Sequence, residues 1–200
     1  MKLYTNTFSP NCRKVYAVAQ HLGVDLEHET VDLQSGKQYE PDYLRINPNG
    51  KVPALVDGET TLWESNSINC YLAGIQDTEL WPKSAERYNI LRWMFWESNH
   101  LSKTVGKIIG QKIFNRANPD QAIIDAGIKD FRKYATVLNN SLETSTYLTG
   151  DTLTLADYSV AVWLGYAEIC ELPLDEFGQA KRWNEQVLQA PGGSVLPPPG

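Results

Sequence analysis

The sequence predicts a two-part chain: a small α/β half with a mixed sheet, followed by an all-helical half. Three observations lead there. Strand and helix signals alternate over the first 75 residues, and the strand signals then stop. Asp57-Gly58 separates two short apolar stretches, a turn too tight for a crossover helix, so those strands run antiparallel. The first two strands are joined through a helix and are expected to be parallel, which makes the sheet mixed, in the order βαβ-ββα. We divide the chain into residues 1–76, a linker at 77–84 and a helical part at 85–200.

Each element has a local reason. Residues 2–7 (KLYTNT) read as a strand. Ser9-Pro10 opens a helix, since serine is a good N-cap and proline is pre-organised for the first helical position. Val15, Val18, Ala19 and Leu22 follow at helical spacing, and Gly23 stops the helix. A second strand is expected near 27–33. Residues 34–48 are polar and proline-punctuated, hence a loop with a helical turn at 41–45. Val52–Val56 and Thr60–Trp63 form the hairpin. Ser65 is expected to cap a third helix with Ile68, Tyr71, Leu72 and Ile75 on one face.

In the second half, Ser84 to about Phe114 is one long helical pattern, rich in aromatics at Tyr88, Trp93, Phe95 and Trp96. Asn118-Pro119 repeats the cap-then-proline signal and opens a helix reaching about Leu142. After a loop at 145–153, Thr154-Leu155-Ala156-Asp157 is a capping box in its aspartate form. A helix to about Glu171 follows, and a last one covers 178–189 with Ala180, Trp183 and Val187 inward. The tail GGSVLPPPG cannot be a helix.

Composition excludes several function classes. The 200 residues are 42% hydrophobic, ordinary for a packed protein, so wholesale disorder is out. Eighteen basic against 24 acidic residues give a net charge of −6, the wrong sign for gripping phosphate backbones. No apolar run approaches the roughly 18–20 residues of a membrane span, and the N-terminus shows no signal-peptide pattern. Cys12, Cys70 and Cys170 are odd in number and far apart, which fits a reducing cytoplasm rather than a disulfide framework. His21, His28 and His100 share no metal-ligand spacing, and neither a Walker A loop nor G-x-G-x-x-G is present.

Ser9 lies where the first strand ends and the first helix begins. A hydroxyl there meets the positive end of a helix and can donate to a bound thiolate, lowering a thiol pKa from about 8.5 toward neutrality. It can equally be a plain N-cap. Cys12 makes S-x-x-C, similar to a thioredoxin C-x-x-C without its first cysteine, or is simply a small packed residue. Pro53, second in an otherwise good strand, removes a ladder donor. A cis Val52-Pro53 bond would turn the leading edge outward, so that Val52 pairs with an extended peptide. The alternative is an edge strand that begins at Ala54. Glu64-Ser65 at a helix start offers N–H groups and a hydroxyl to a carboxylate.

Taken in order, Ser9-Pro10-Asn11-Cys12-Arg13-Lys14-Val15, Asn47-Pro48-x-x-Lys51-Val52-Pro53-Ala54-Leu55 and Leu62-x-Glu64-Ser65-x-x-Ile68-x-x-Tyr71-Leu72 resemble the glutathione-binding domain of the cytosolic glutathione transferases. Thr154-Leu155-Ala156-Asp157 is similar to the capping motif of that family's buried helix. The serine form is most similar to the theta-like and related bacterial branches. The resemblance covers nearly the whole chain and implies a thioredoxin-like first domain. It implies that Ser9 activates the thiol of reduced glutathione, a co-substrate, for attack on a small hydrophobic electrophile or a peroxide, with no prosthetic group and no metal. It implies that Val52 binds the cysteinyl backbone with Pro53 cis, and that Glu64 and Ser65 hold the γ-glutamyl end. Lys51 and either Lys37 or Gln38 would face the glycyl carboxylate. Trp93, Trp96, Asn99 and His100 are candidates for the pocket of a small hydrophobic electrophile, although aromatics at helical spacing are also ordinary core. A homodimer paired along the long helix is expected. Two alternatives stand beside this: a non-catalytic module of the same fold, and a glutathione-dependent thiol-disulfide reductase using Cys12.

Overall fold

The computed structural model describes residues 1–199; Gly200, the last residue of the tail expected to be non-helical, lies outside them. The first half contains β1 (Lys2–Thr5), α1 (Pro10–Leu22), β2 (Glu27–Thr30), a 3-10 turn (Lys37–Tyr39), α2 (Pro41–Leu44), β3 (Ala54–Asp57), β4 (Thr60–Trp63) and α3 (Ser65–Gly74). The sheet order is β2-β1-β3-β4. β1 runs parallel to β2 and antiparallel to β3, and β3 runs antiparallel to β4, so the mixed sheet forms as expected. Leu3, Leu55 and Leu62 stand in one cross-strand row. Leu3 and Leu55 are buried in one cluster with Val15 and Val18 of α1 and Ile68 and Leu72 of α3, each contributing roughly 1.5–3 kcal/mol by burial. On the other face Tyr43 of α2 meets Tyr4 edge-on at 6.0 Å.

Several boundaries differ from the sequence reading. β1 is shorter than 2–7, because Asn6 turns the chain: its side chain accepts the Phe8 N–H and donates to the Val31 carbonyl. β2 stops at Thr30. β3 begins at Ala54 rather than Val52, and it is an inner strand rather than an edge. Pro53 therefore precedes the ladder and removes no donor from it. Ser65 does not cap α3; the N-cap is Glu64, and Ser65 is the first helical residue. Ile75 lies beyond the helix and is exposed.

The helical half contains α4 (Glu86–Trp96), α5 (Ser102–Ile109), α6 (Gln121–Ser141), α7 (Leu155–Leu164), α8 (Ala167–Cys170) and α9 (Gly178–Gln189). The long pattern from 84 to 114 is continuous from Glu86, but π-helical turns at Glu97–Leu101 and Gly110–Phe114 interrupt its α-helical hydrogen bonding. α6 starts two residues after Asn118-Pro119. Asp120 is the cap, its carboxylate accepting the Ala122 and Ile123 N–H groups, since a carboxylate next to free N–H groups outcompetes the upstream amide. The helix expected to reach Glu171 breaks at Gly165 and resumes as α8. Every residue of α7 is buried, and it packs on α1, α4 and α9. The tail is not α-helical, but it holds a 3-10 turn at Gly193–Val195 and buries Leu196.

Candidate active site

The strand register assembles the site. Tyr4 pairs with Ala54, and Ala54 with Trp63. One row across the sheet thus joins the end of β1, the start of β3 and the end of β4. Chain segments leaving that edge are residues 6–9, 51–53 and 64–65, and both α1 and α3 begin there. The end of β2 lies at the same edge, with Thr30 opposite Thr5 and the Val31 N–H on the Thr5 carbonyl at 2.8 Å. Antiparallel pairing alone brings together segments more than 40 residues apart in sequence.

Ser9 occupies the N-cap of α1, and its carbonyl accepts the Cys12 and Arg13 N–H groups, both at 3.0 Å. Its side chain makes no capping bond. Ser9 is half-buried at the positive end of a helix of 13 residues, and its hydroxyl lies within reach of the Cys12 thiol one turn below. Cys12 is one turn down and fully buried, with the Asn6 N–H 3.4 Å from its sulfur. Burial raises its thiol pKa above the ordinary 9.0, against the pull of Thr5, Asn6 and Ser9. A protonated interior thiol is a poor nucleophile.

The Val52-Pro53 bond is cis. Among the described residues no backbone group pairs with the Val52 N–H or carbonyl. The Lys51 carbonyl is fixed by Asn47 Nδ2 at 2.7 Å and the Tyr43 hydroxyl at 2.5 Å, which leaves the exposed Lys51 ammonium outside this frame. Gly50 (φ 60°) lies directly under the 37–39 turn; a Cβ there would sit 2.8 Å from the Tyr39 ring. Glycine is required here both for its left-handed backbone and for the close approach. That contact sets Lys37 and Gln38 near Lys51. Lys37 is exposed, while Gln38 is buried, with Nε2 3.4 Å from the Leu33 carbonyl and Oε1 without a partner.

Glu64 has φ 70°, a left-handed conformation that costs a non-glycine residue about 1–3 kcal/mol. Its carbonyl accepts the Ile68 N–H at 3.0 Å, so α3 starts on a strained residue. Ser65 Oγ donates to Asn11 Oδ1 at 3.1 Å, linking the starts of α3 and α1. Ser9, Val52, Pro53, Glu64 and Ser65 thus meet at one edge, with Lys37, Gln38 and Lys51 beside them.

The other four candidates are gathered elsewhere on the long helical run. Trp93 is buried, and Trp96 packs edge-on to it at 5.1 Å. Trp96 and His100 both contact Tyr134 of α6, the histidine stacking at 5.2 Å. Asn99 is exposed and donates to the Phe95 carbonyl. Sequence reading missed two residues of the edge. Phe8, 52% exposed and adjacent to Ser9, carries no periodicity signal because it stands alone in a turn. Asn11 reads as an ordinary polar residue of a first helical turn.

Comparison with known proteins settles the family. Residues 1–74 match the glutathione S-transferase N-terminal domain and residues 102–191 the glutathione S-transferase C-terminal domain.

The chain belongs to the glutathione S-transferase family.

It is 34% identical to glutathione S-transferase 3 of Zea mays, over 81% of this chain and 76% of that one. It is 33% identical to the disulfide-bond oxidoreductase YfcG of Escherichia coli, over 92% of this chain and 88% of that protein. Among solved structures, glutathione transferase URE2P6 from Phanerochaete chrysosporium, in complex with oxidized glutathione, superposes with a TM-score of 0.88. It is 28% identical and covers 98% of this chain and 93% of that one. The thioredoxin-like first domain with its mixed four-stranded sheet, followed by a helical domain, is this family's architecture.

Proposed function

We propose that the protein is a glutathione transferase of the serine type, with Ser9 activating the thiol. The observation that carries the reading is the Ser9 hydroxyl. It takes no part in capping α1, and it stands at the same sheet edge as the unpaired Val52 backbone and the start of α3. The theta-like placement rests on Ser9-x-x-Cys12-Arg13-x-Val15 alone.

In this reading the Val52 N–H and carbonyl pair with the cysteinyl backbone of glutathione, as a strand pairs with an added strand. Glu64 and Ser65 hold the γ-glutamyl end, where the N-terminus of α3 favours its carboxylate. Lys37 and Lys51 face the glycyl carboxylate. Gln38 has turned its donor toward Leu33, so its free Oε1 suits a ligand N–H better than a carboxylate. Hydrogen bonding from Ser9 to the thiolate, with the helix end behind it, lowers the thiol pKa. The thiolate then attacks an electrophilic carbon, forming a thioether as the bond to the leaving group breaks, and the thiol proton is lost to solvent. A small hydrophobic electrophile would lie beside Phe8, with Trp96, Asn99 and His100 as further candidates and Trp93 behind them. Residues 1–76 are the glutathione-binding unit, 77–84 the linker and 85–200 the helical unit.

Two experiments test this. Calorimetric titration with glutathione should give a one-site isotherm; the absence of binding would turn the reading into a non-catalytic module of the same fold. Ser9→Ala should lower kcat about 10- to 100-fold, the loss of a hydrogen bond of about 1.5–3 kcal/mol to a charged group, with little change in glutathione affinity. Full activity in that variant would remove Ser9 from the chemistry.

A second reading is favoured by the Escherichia coli relative, whose name is disulfide-bond oxidoreductase: a glutathione-dependent disulfide reductase. The burial of Cys12 weighs against that thiol as its nucleophile. Mass spectrometry for a Cys12–glutathione mixed disulfide decides the point.

The protein is further proposed to be a cytoplasmic homodimer. Its three cysteines are free, which suits a reducing compartment, and no helix among the described residues is long and apolar enough to cross a membrane. Tyr88 and Phe95 of α4 are 76% and 63% exposed, an apolar surplus that a second copy would cover. Light scattering should give about twice the 22.5 kDa of one chain; a monomeric mass at micromolar concentration would count against the pairing.

A further inference from the structure

We propose that Tyr166 directly, and the segment around Leu196 through Arg13, are positioning elements for the Ser9 loop; this rests on the reading of Ser9 as the thiol-activating group. The two residues before Ser9 are exposed and belong to no strand or helix. Left to itself, such a loop would hold a hydroxyl loosely. Yet both carbonyls are tied down, one directly from the far end of the chain and the other through Arg13, which is itself held there. The Tyr166 hydroxyl donates to the Phe8 carbonyl at 2.9 Å, across 158 residues of sequence. Arg13 Nη1 donates to the Thr7 carbonyl at 2.8 Å, and Arg13 Nε to the Leu196 carbonyl at 3.3 Å, across 183 residues.

These contacts form a closed circuit. Tyr166 stands at the break between α7 and α8 and is fully buried. Its neighbour Gly165 faces the tail so closely that a Cβ there would meet Pro197 Cα at 3.1 Å and the Leu196 carbonyl at 3.2 Å. Leu196 is itself fully buried. The tail therefore braces both arms: it packs beside Tyr166 and accepts from Arg13. Burial raises the Tyr166 phenol pKa far above the ordinary 10, so the phenol stays a donor at any working pH. Arg13, one turn into α1, holds two carbonyls at once, which suits the fixed fork of a guanidinium.

The tether acts on the position of the hydroxyl, not on substrate. A thiolate hydrogen bond weakens steeply as its geometry degrades, and small misplacements at a reacting centre cost rate without costing binding. The test uses Tyr166→Phe, which keeps the ring and removes the donor, and Arg13→Lys, which keeps the charge and cannot span both carbonyls. Each is compared with wild type and Ser9→Ala in the pKa of the bound glutathione thiol, read from ultraviolet absorbance of the thiolate, and in kcat and glutathione KM. The expected result is a raised bound-thiol pKa in both tether variants and a kcat lowered on the order of tenfold, with KM nearly unchanged. A wild-type thiol pKa in both tether variants, while Ser9→Ala raises it, overturns the tether and leaves Ser9 in place. An unchanged thiol pKa in Ser9→Ala removes Ser9 and the tether together. If Tyr166→Phe fails to fold, Arg13→Lys decides alone by the same criteria.

Discussion

Two residues separated by one helical turn have opposite fates. The Ser9 side chain leaves its own helix uncapped, while Cys12 is enclosed by Thr5, Asn6 and Ser9. Cys12→Ala should therefore keep turnover with glutathione within about twofold, and lower stability by about 1–2 kcal/mol, as for a buried side chain losing one heavy atom. Steady-state kinetics and a melting curve check both halves; a loss of turnover without a loss of stability would return the thiol to the chemistry. That Ser9, Val52-Pro53 and Glu64-Ser65 stand at element boundaries was legible in the sequence, because such positions have residue preferences of their own. Tyr166 was not legible. Nothing near it in sequence distinguishes it from a core tyrosine, and its partner is brought to it only by the packing of the two halves.

Among the elements, α7 is the one whose start can be argued bond by bond. Asp157 is fully buried and accepts four hydrogen bonds. Thr154 N–H and Thr154 Oγ1 reach Oδ2 at 2.8 and 3.0 Å, and Leu148 N–H and Trp183 Nε1 reach Oδ1 at 3.0 and 2.9 Å. Burial pushes its carboxyl pKa up and these donors pull it down. The box read from Thr154-x-x-Asp157 is present, but the carboxylate also anchors the preceding loop and α9. Asp157→Ala strands the Leu148, Thr154 and Trp183 donors, each at about 1–3 kcal/mol, so the total should exceed the roughly 1 kcal/mol of a simple cap. Thermal melting should show a clearly lowered Tm, with normal glutathione affinity in the folded fraction. A wild-type Tm with lost turnover would move Asp157 into the active site. The mixed character of the sheet was legible from one helical connection and one tight turn, whereas its strand order, with β1 beside β3, was not. The π turns in the long helix were not legible either, since residues 97–101 (ESNHL) and 110–114 (GQKIF) carry too few apolar side chains to show a one-residue change of phase.

For the whole molecule, a buried ion pair joins the halves. Lys14 of α1 and Glu97 of the first π turn are each 1% exposed and 3.0 Å apart. Asn66 of α3 binds both of them and also accepts from Ser159 of α7, while Trp163 Nε1 donates to the second Glu97 oxygen at 2.6 Å. Glu97→Gln should lower unfolding stability by about 3–5 kcal/mol, because it leaves the Lys14 charge buried without its counter-charge. Urea titration measures it; an unchanged midpoint would mean that water reaches Lys14 in the folded protein.

The same ion pair limits how the two halves can be inherited. A chimera that joined residues 1–76 to the helical part of a relative would fold well only if that part brought an acid at position 97 and hydrogen-bonding groups at positions 159 and 163. Lacking them, Lys14 would keep Asn66 as a partner but lose its counter-charge in a buried place. Recombination within such a lineage should therefore transmit Lys14, Asn66 and Glu97 as one linked set, even though they lie in three separate elements.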